Sequence, residues 1–143
     1  RTLAVIRPAP IYGHRDTHNS YGPNRFAREA LQEGNVRIFG AGEARRDHVY
    51  VRDVARVIAR CAQDARPGIL NVASGVSLSF ALTGDIIASA VEPSAEVLTT
   101  GAETEPTYRG FDISGLVRSF PDFVPTHPQD GFKQMIEQMA ETS

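Results

Sequence analysis

Lysine is almost missing from this chain: Lys133 stands alone among 15 basic residues, and all the others are arginine. Coding bias accounts for such a skew, and so does a need for arginine forks that grip phosphate or carboxylate with two parallel bonds. Cysteine is equally scarce. Cys61 is the single one, which excludes an internal disulfide and a cysteine-based metal site. It falls on the apolar side of a helical pattern and reads as buried filler. No apolar run approaches the roughly 18 residues of a membrane span, and no signal peptide opens the chain. A soluble, reducing, cytoplasmic setting without a membrane partner is expected. The formal net charge of -2 gives no bulk attraction to nucleic acid. The chain opens Arg1-Thr2-Leu3 without methionine, which suggests a piece of something longer.

Several catalytic motifs are also missing. No G-x-G-x-x-G is present. Gly40-Ala41-Gly42 comes nearest, but Arg45 stands three positions after Gly42, and a strand rather than a helix follows. The residues four after Tyr12, Tyr21, Tyr50 and Tyr108 are Asp16, Arg25, Val54 and Asp112, so no Tyr-x-x-x-Lys exists. There is no G-x-S-x-G elbow either. His14 and His18 have a metal-like spacing, but they lie in a Pro/Gly-rich loop with Arg15 between them and read as solvated. No catalytic and no metal-binding residue is assigned.

What is present fits one domain of 143 residues, 41% hydrophobic and 22% charged, as in globular chains. Leu3-Ala4-Val5-Ile6 is a continuous apolar run, expected to be a strand buried on both faces of a parallel sheet. Residues 8–24 are rich in turn formers and read as a functional or mobile loop. A helix is expected from Arg25 to Glu33, with Phe26, Ala27, Ala30 and Leu31 inward and Gly34 as its stop. Val36 to Phe39 reads as a strand. Asp47 to Val51 alternates and reads as another, with Asp53 placed to cap the next helix. Val54, Val57, Ile58, Cys61 and Ala62 form that helix's apolar stripe. Ile69 to Ala73 is a strand, Phe80 to Val91 a helix weakened by Gly84, and Glu96 to Thr99 a strand. Phe111 to Ile113 reads as extended, and Ser114 as the cap of a short helix. Thr126-His127-Pro128-Gln129 reads as a capping box opening a last helix with Phe132, Met135, Ile136, Met139 and Ala140 inward. The alternation is α/β, without repeats.

Several segments occur in a telling order. Arg7-Pro8-Ala9-Pro10-Ile11-Tyr12-Gly13 comes first, then Val36-Arg37-Ile38-Phe39-Gly40-Ala41-Gly42. Next are Arg46-Asp47-His48-Val49-Tyr50-Val51-Arg52-Asp53-Val54-Ala55, Leu70-Asn71-Val72-Ala73-Ser74-Gly75, Phe111-Asp112-Ile113-Ser114 and Phe123-Val124-Pro125. The order resembles the C-terminal half of the NAD-dependent epimerase/dehydratases, the extended short-chain dehydrogenase/reductase family. The resemblance spans about residues 2–136. The Arg46–Ala55 stretch is fairly specific, and the ordered set of segments is the strong signal.

The resemblance implies the C-terminal substrate-binding region of that fold, with one or few strands of an incomplete Rossmann sheet. Residues 1–24 would be the last part of the dinucleotide-binding domain and its active-site loop. Residues 25–143 would be the substrate-binding domain. Pro8, Ala9 and Tyr12 would line the site of NAD or NADP, in keeping with ligands lying beyond the carboxyl ends of parallel strands. Asn24 would contact substrate or cap the helix after it. Val36 and Phe39 would pack the nucleotide base, or Phe39 would be core. Arg46 would grip a diphosphate, or pair with Asp47 or Asp53. His48, at a position usually aromatic, would face a ribose or be a half-buried strand residue.

Two departures bear on the substrate. Pro10 stands where many members have asparagine. A second phosphate arginine, about ten residues before the position of Asp112, is replaced by Thr100-Gly101-Ala102-Glu103. Arg109 is several residues out of that register. The leading expectation is a fragment of a nucleotide-sugar epimerase or dehydratase, with the Gly-rich loop and the Tyr-Lys pair in the missing half. The chain alone would be inactive. A fragment of a carbonyl reductase of the same family is the alternative, and a non-catalytic binding domain is a third. A homo-oligomer is expected, because a lone buried strand needs a partner edge.

Overall fold

The computed structural model describes residues 3–101 and 105–142. In chain order the elements are β1 (Ala4–Pro8), β2 (Ile11–Tyr12), α1 (Pro23–Glu33), β3 (Asn35–Phe39), β4 (Arg45–Asp47), β5 (Val49–Tyr50) and α2 (Val51–Gln63). They continue with β6 (Gly68–Val72), β7 (Ser77–Ser79), α3 (Phe80–Ser89), β8 (Glu96–Thr100), β9 (Tyr108–Arg109), α4 (Ser114–Ser119) and α5 (Pro128–Thr142). The fold is α/β. β1 pairs with β6, β2 with β5 and β3 with β8, all parallel, and β4 lies between antiparallel β7 and parallel β9.

The buried side chains form two clusters. One gathers Phe26, Val36, Ile38, Tyr12, Tyr50, Ile87 and Phe132 between α1, α3, α5 and the β3–β8 pair. The other gathers Val49, Val57, Leu70, Val72, Leu116 and Phe120 around the β1–β6 pair, α2 and α4. Each fully buried aromatic or branched side chain stabilises its cluster by about 1.5–3 kcal/mol.

The first strand is covered on one face only. Ala4 and Ile6 pack against the second cluster, whereas Leu3 is 72% exposed, Val5 39% and Ile69 61%. The continuous apolar run therefore does not report burial on both faces among the described residues. The outer part of the α2 stripe behaves likewise: Val54, Val57 and Cys61 are buried, and Ile58 is exposed.

α1 begins on Gly22 with Pro23 in its first position, where the missing N–H costs nothing, and ends on left-handed Gly34. Phe26, Ala27 and Ala30 face inward, but Leu31 sits at the rim and is exposed. Buried Glu29 joins this helix to β3, pairing with Arg25 at 2.8 Å and accepting the Arg37 amide at 2.9 Å. Gly84, which weakens α3 locally, is required by packing: a Cβ there would lie 2.7 Å from Ile38 Cδ1.

Six local expectations are corrected. Asp47–Val51 is not one strand; β4, β5 and the start of α2 divide it. Asp53 lies inside the first turn of α2 rather than capping it. Its carboxylate accepts the Thr126 amide at 2.7 Å and the Thr126 hydroxyl at 2.9 Å, and Arg56 donates to it at 2.5 Å. Thr126 thus fastens the entry of α5 to α2 instead of serving a capping box. Ser114 is the first residue of α4 rather than its cap, the cap position is Ile113, and Asp112 accepts the Ser114 amide at 2.8 Å, which lowers the Asp112 pKa. The short extended piece is Tyr108–Arg109, not Phe111–Ile113, because pairing with β4 decides it. Ala140, at the solvent edge of α5, is exposed.

Candidate functional site

The carboxyl end of β3, the turn after it, β4 and the start of α3 enclose a cleft of about 380 Å³, within the usual range for small-molecule sites. Glycine makes the turn. Gly42 has φ 69°, and a Cβ on it would lie 2.6 Å from Ile38 Cγ2 and 2.8 Å from the Ala81 nitrogen. The first amides of α3 are already occupied, Phe80 N donating to Ala44 O and Ala81 N to Gly42 O, so the turn and the helix form one wall.

Aromatic rings form the next wall. Phe39, the last residue of β3, is 56% exposed into the cleft. Tyr21 lies 4.9 Å from Phe39 and 4.7 Å from Phe80, centroid to centroid, and accepts the Phe39 amide at 2.9 Å. Burial raises the pKa of this phenol, which stays neutral. The Arg25 guanidinium sits 5.8 Å from the Phe39 ring centroid. The exposed Phe39 ring, edged by a cation, suits an aromatic ligand ring.

Arg46 supplies the charge. Its guanidinium lies 5.6 Å from the Phe80 centroid and donates to Thr107 O at 3.0 Å, Thr107 Oγ1 at 2.8 Å and Arg45 O at 2.8 Å. Neither Asp47 nor Asp53 pairs with it. Asp47 is buried and accepts the Ser74 amide at 2.9 Å, the Ser74 hydroxyl at 2.7 Å and the Gly75 amide at 3.0 Å. Burial raises the Asp47 pKa against those bonds. The Arg46 pKa is lowered, first by desolvation and then by Arg109. A guanidinium without a carboxylate partner among the described residues, next to an aromatic platform, is suited to an anionic ligand.

The other sequence-derived residues lie elsewhere. Val36 is fully buried, so its side chain packs α1 and α3 from below β3. Asn24 is buried and bonds both the Gly13 amide and carbonyl, at 3.1 and 2.9 Å, and Asp16 at 2.8 Å, which closes the 13–24 loop. His48 is buried beside Gly22, with its ring 6.1 Å from Phe80; burial and then Arg46 lower its pKa to about 4. Pro8 is exposed at the carboxyl end of β1. Ala9 is buried and donates its amide to Val72 O at 2.9 Å. Tyr12 is buried between Tyr50 and Phe132, at 5.3 and 4.8 Å. Of the eight, Phe39 and Arg46 line the cleft.

Tyr21, Phe80 and Thr107 also line it and were not legible in the sequence. Tyr21 is an aromatic within a turn-rich loop, which is a weak signal. The Arg46–Thr107 bond spans 61 positions and had no signal at all. The expected loss of a phosphate arginine at Ala102-Glu103 lies outside the described residues.

A larger open groove of about 780 Å³ runs between α3 and α5. Asp85, Glu92 and Asp130 outnumber Lys133 in its lining, and no aromatic ring lines it among the described residues. It disfavours a phosphate, so the smaller cleft is the candidate site. Among the described residues no group of three His, Cys, Asp or Glu could hold a metal ion, and no helix is long and apolar enough to cross a membrane.

A family model described as the NAD dependent epimerase/dehydratase family matches residues 2–73. A UDP-glucose 4-epimerase of Mycolicibacterium smegmatis is 36% identical over 117 residues, which cover 80% of this chain and 34% of that protein. Among solved structures, the UDP-N-acetylglucosamine 4-epimerase of Methanobrevibacter ruminantium, in complex with UDP-N-acetylmuramic acid, superimposes with a TM-score of 0.82 at 23% identity, over 98% of this chain and 46% of that one. The UDP-glucose 4-epimerase of Thermus thermophilus, in complex with NAD, gives 0.82 at 20% identity, over 98% and 47%. Both share the fold, and this chain spans a third to a half of the relatives it matches. The matched segment runs from the apolar strand through the Arg46–Ala55 stretch to Ala73 and carries Phe39 and Arg46 of the cleft, and the chain belongs to the NAD-dependent epimerase/dehydratase family.

Proposed function

We propose that this chain is the substrate-binding portion of a nucleotide-sugar epimerase or dehydratase that uses NAD or NADP as its hydride carrier. One observation carries the reading: an exposed aromatic, Phe39, and an arginine without a carboxylate partner among the described residues, Arg46, line the same cleft. The base of a nucleotide stacks on Phe39, with Tyr21 and Phe80 behind it. Arg46 neutralises the diphosphate. Val36 supports the platform from below, and Asn24 fixes the loop that carries Tyr21.

The cofactor supplies and accepts the hydride. Pro8, exposed at the carboxyl end of a parallel strand, is where a dinucleotide lies in doubly wound sheets. Ala9 and Tyr12 hold that loop in place from the core. Residues 1–24 belong with the dinucleotide-binding part and residues 25–143 with the substrate-binding part. Pairing of β1 with β6 draws residues 68–72 into the first of these. The general base lies outside this chain, so the chain alone is inactive. Its covering partner is a second copy or the remainder of a longer enzyme.

One observation favours carbonyl reduction as a second reading. Pro10 occupies an asparagine position and offers only its carbonyl, which accepts the Val49 amide at 2.9 Å. Calorimetric titration with UDP-glucose separates the two. Epimerase or dehydratase chemistry predicts saturable binding that Phe39→Ala and Arg46→Ala each weaken about tenfold. A folded chain that ignores UDP-glucose contradicts that reading and leaves the reductase.

A further inference from the structure

Among the described residues β3 pairs with β8 alone, so its other edge is open. The backbone groups of a strand alternate between its two edges. Gly34 O and Gly40 N meet β8, bonding Glu96 N at 2.9 Å and Thr100 O at 2.8 Å. The Arg37 and Phe39 amides face the open edge, and side chains close both. Glu29 accepts the first at 2.9 Å, and the Tyr21 hydroxyl accepts the second at 2.9 Å. Phe39 is the last residue of β3, so its amide lies at the cleft. A ligand acceptor arriving there meets the Tyr21 hydroxyl in place of the backbone.

A phenol has one hydrogen to donate and two lone pairs. The Phe39 amide takes one lone pair of Tyr21, which turns the hydrogen away from β3. No acceptor among the described residues receives that hydrogen, and Tyr21 lines the cleft. Burial raises the Tyr21 pKa, so the hydrogen is in place at neutral pH. The ring itself is fixed: Phe26, Phe39 and Phe80 lie 5.1, 4.9 and 4.7 Å from it, centroid to centroid. Only the torsion about the carbon–oxygen bond is left to order, so a hydrogen bond from this group to a ligand costs little entropy. Phe39 and Phe80 offer stacking without a hydrogen bond. Stacking alone tells bases apart poorly, because every base has a π-face.

We infer that Tyr21 is a specificity-determining residue: its hydroxyl, held by the Phe39 amide, donates to a ring carbonyl of the base that stacks on Phe39. A base with a carbonyl, such as uracil, is therefore preferred to adenine, which has none. This rests on the nucleotide reading above.

Calorimetry of the 143-residue chain with UDP, and with ADP in competition against UDP, tests this in the unaltered protein and in Tyr21→Phe, which keeps the ring and deletes the hydroxyl. Tyr21→Phe weakens UDP about fivefold and ADP less than about twofold. Equal weakening of the two, or none for UDP, overturns the inference, because the hydroxyl then serves only to hold Phe39. A second measurement needs no variant that binds. The chain has four tyrosines, and with their Cζ atoms labelled with ¹³C the Tyr21 signal is the one missing from the Tyr21→Phe spectrum. Saturating UDP shifts that signal, and inorganic pyrophosphate, which has no base, does not. A Tyr21 signal unmoved at UDP saturation overturns this inference alone. No UDP binding to the unaltered chain overturns both the inference and the reading beneath it.

Discussion

His48 shows what one buried side chain commits the protein to. Burial against Gly22 and Phe80, with Arg46 two residues before it, lowers its pKa from 6.5 to about 4. The unfolded chain therefore takes up a proton between those values while the folded chain does not. Stability is full above pH 6.5 and falls as pH drops towards 4, by up to about 1.4 kcal/mol per pH unit. Urea denaturation at pH 7 and pH 5 checks this. His48→Gln removes most of the difference between the two; an undiminished difference assigns it to other groups. The residue was legible in the sequence as a ring at a usually aromatic position. Its burial was not, because the covering residues come from the 13–22 loop and from α3.

At the scale of elements, α5 docks through one close approach. A Cβ on Gly131 would collide with the Tyr12 hydroxyl, which is buried and has no hydrogen-bond partner among the described residues. Gly131→Ala is expected to destabilise by about 1–3 kcal/mol despite the better helix propensity of alanine. Tyr12→Phe removes the buried hydroxyl and is expected to be neutral or stabilising by about 1 kcal/mol. The double variant recovers most of the Gly131→Ala loss, a coupling that thermal denaturation of all four proteins measures. Additive effects would mean that the helix does not rest on this contact. Periodicity made α5 and its Phe132–Met139 stripe readable, whereas the need for Gly131 comes from Tyr12, far away in sequence. The same holds in the cleft. Phe39 and Arg46 stood out by their order along the chain, but Thr107 reaches the site only through pairing of β4 with β9.

At the scale of the molecule, Leu3, Val5 and Ile69 leave one side of the β1–β6 pair apolar and exposed, with Ile58 on α2 exposed as well. Such surface favours association. Light scattering of the isolated chain is expected to show mass rising with concentration, and Val5→Lys with Ile69→Lys to reduce it. A monodisperse monomer throughout would contradict the expected self-association. The central claim, however, concerns the cleft. Amide ¹H–¹⁵N spectra of the labelled chain titrated with UDP test it most directly. The account predicts saturable shifts concentrated at Phe39, Gly40, Gly42, Arg46 and Thr107. Shifts confined to the α3–α5 groove, or none in a folded chain, would contradict it.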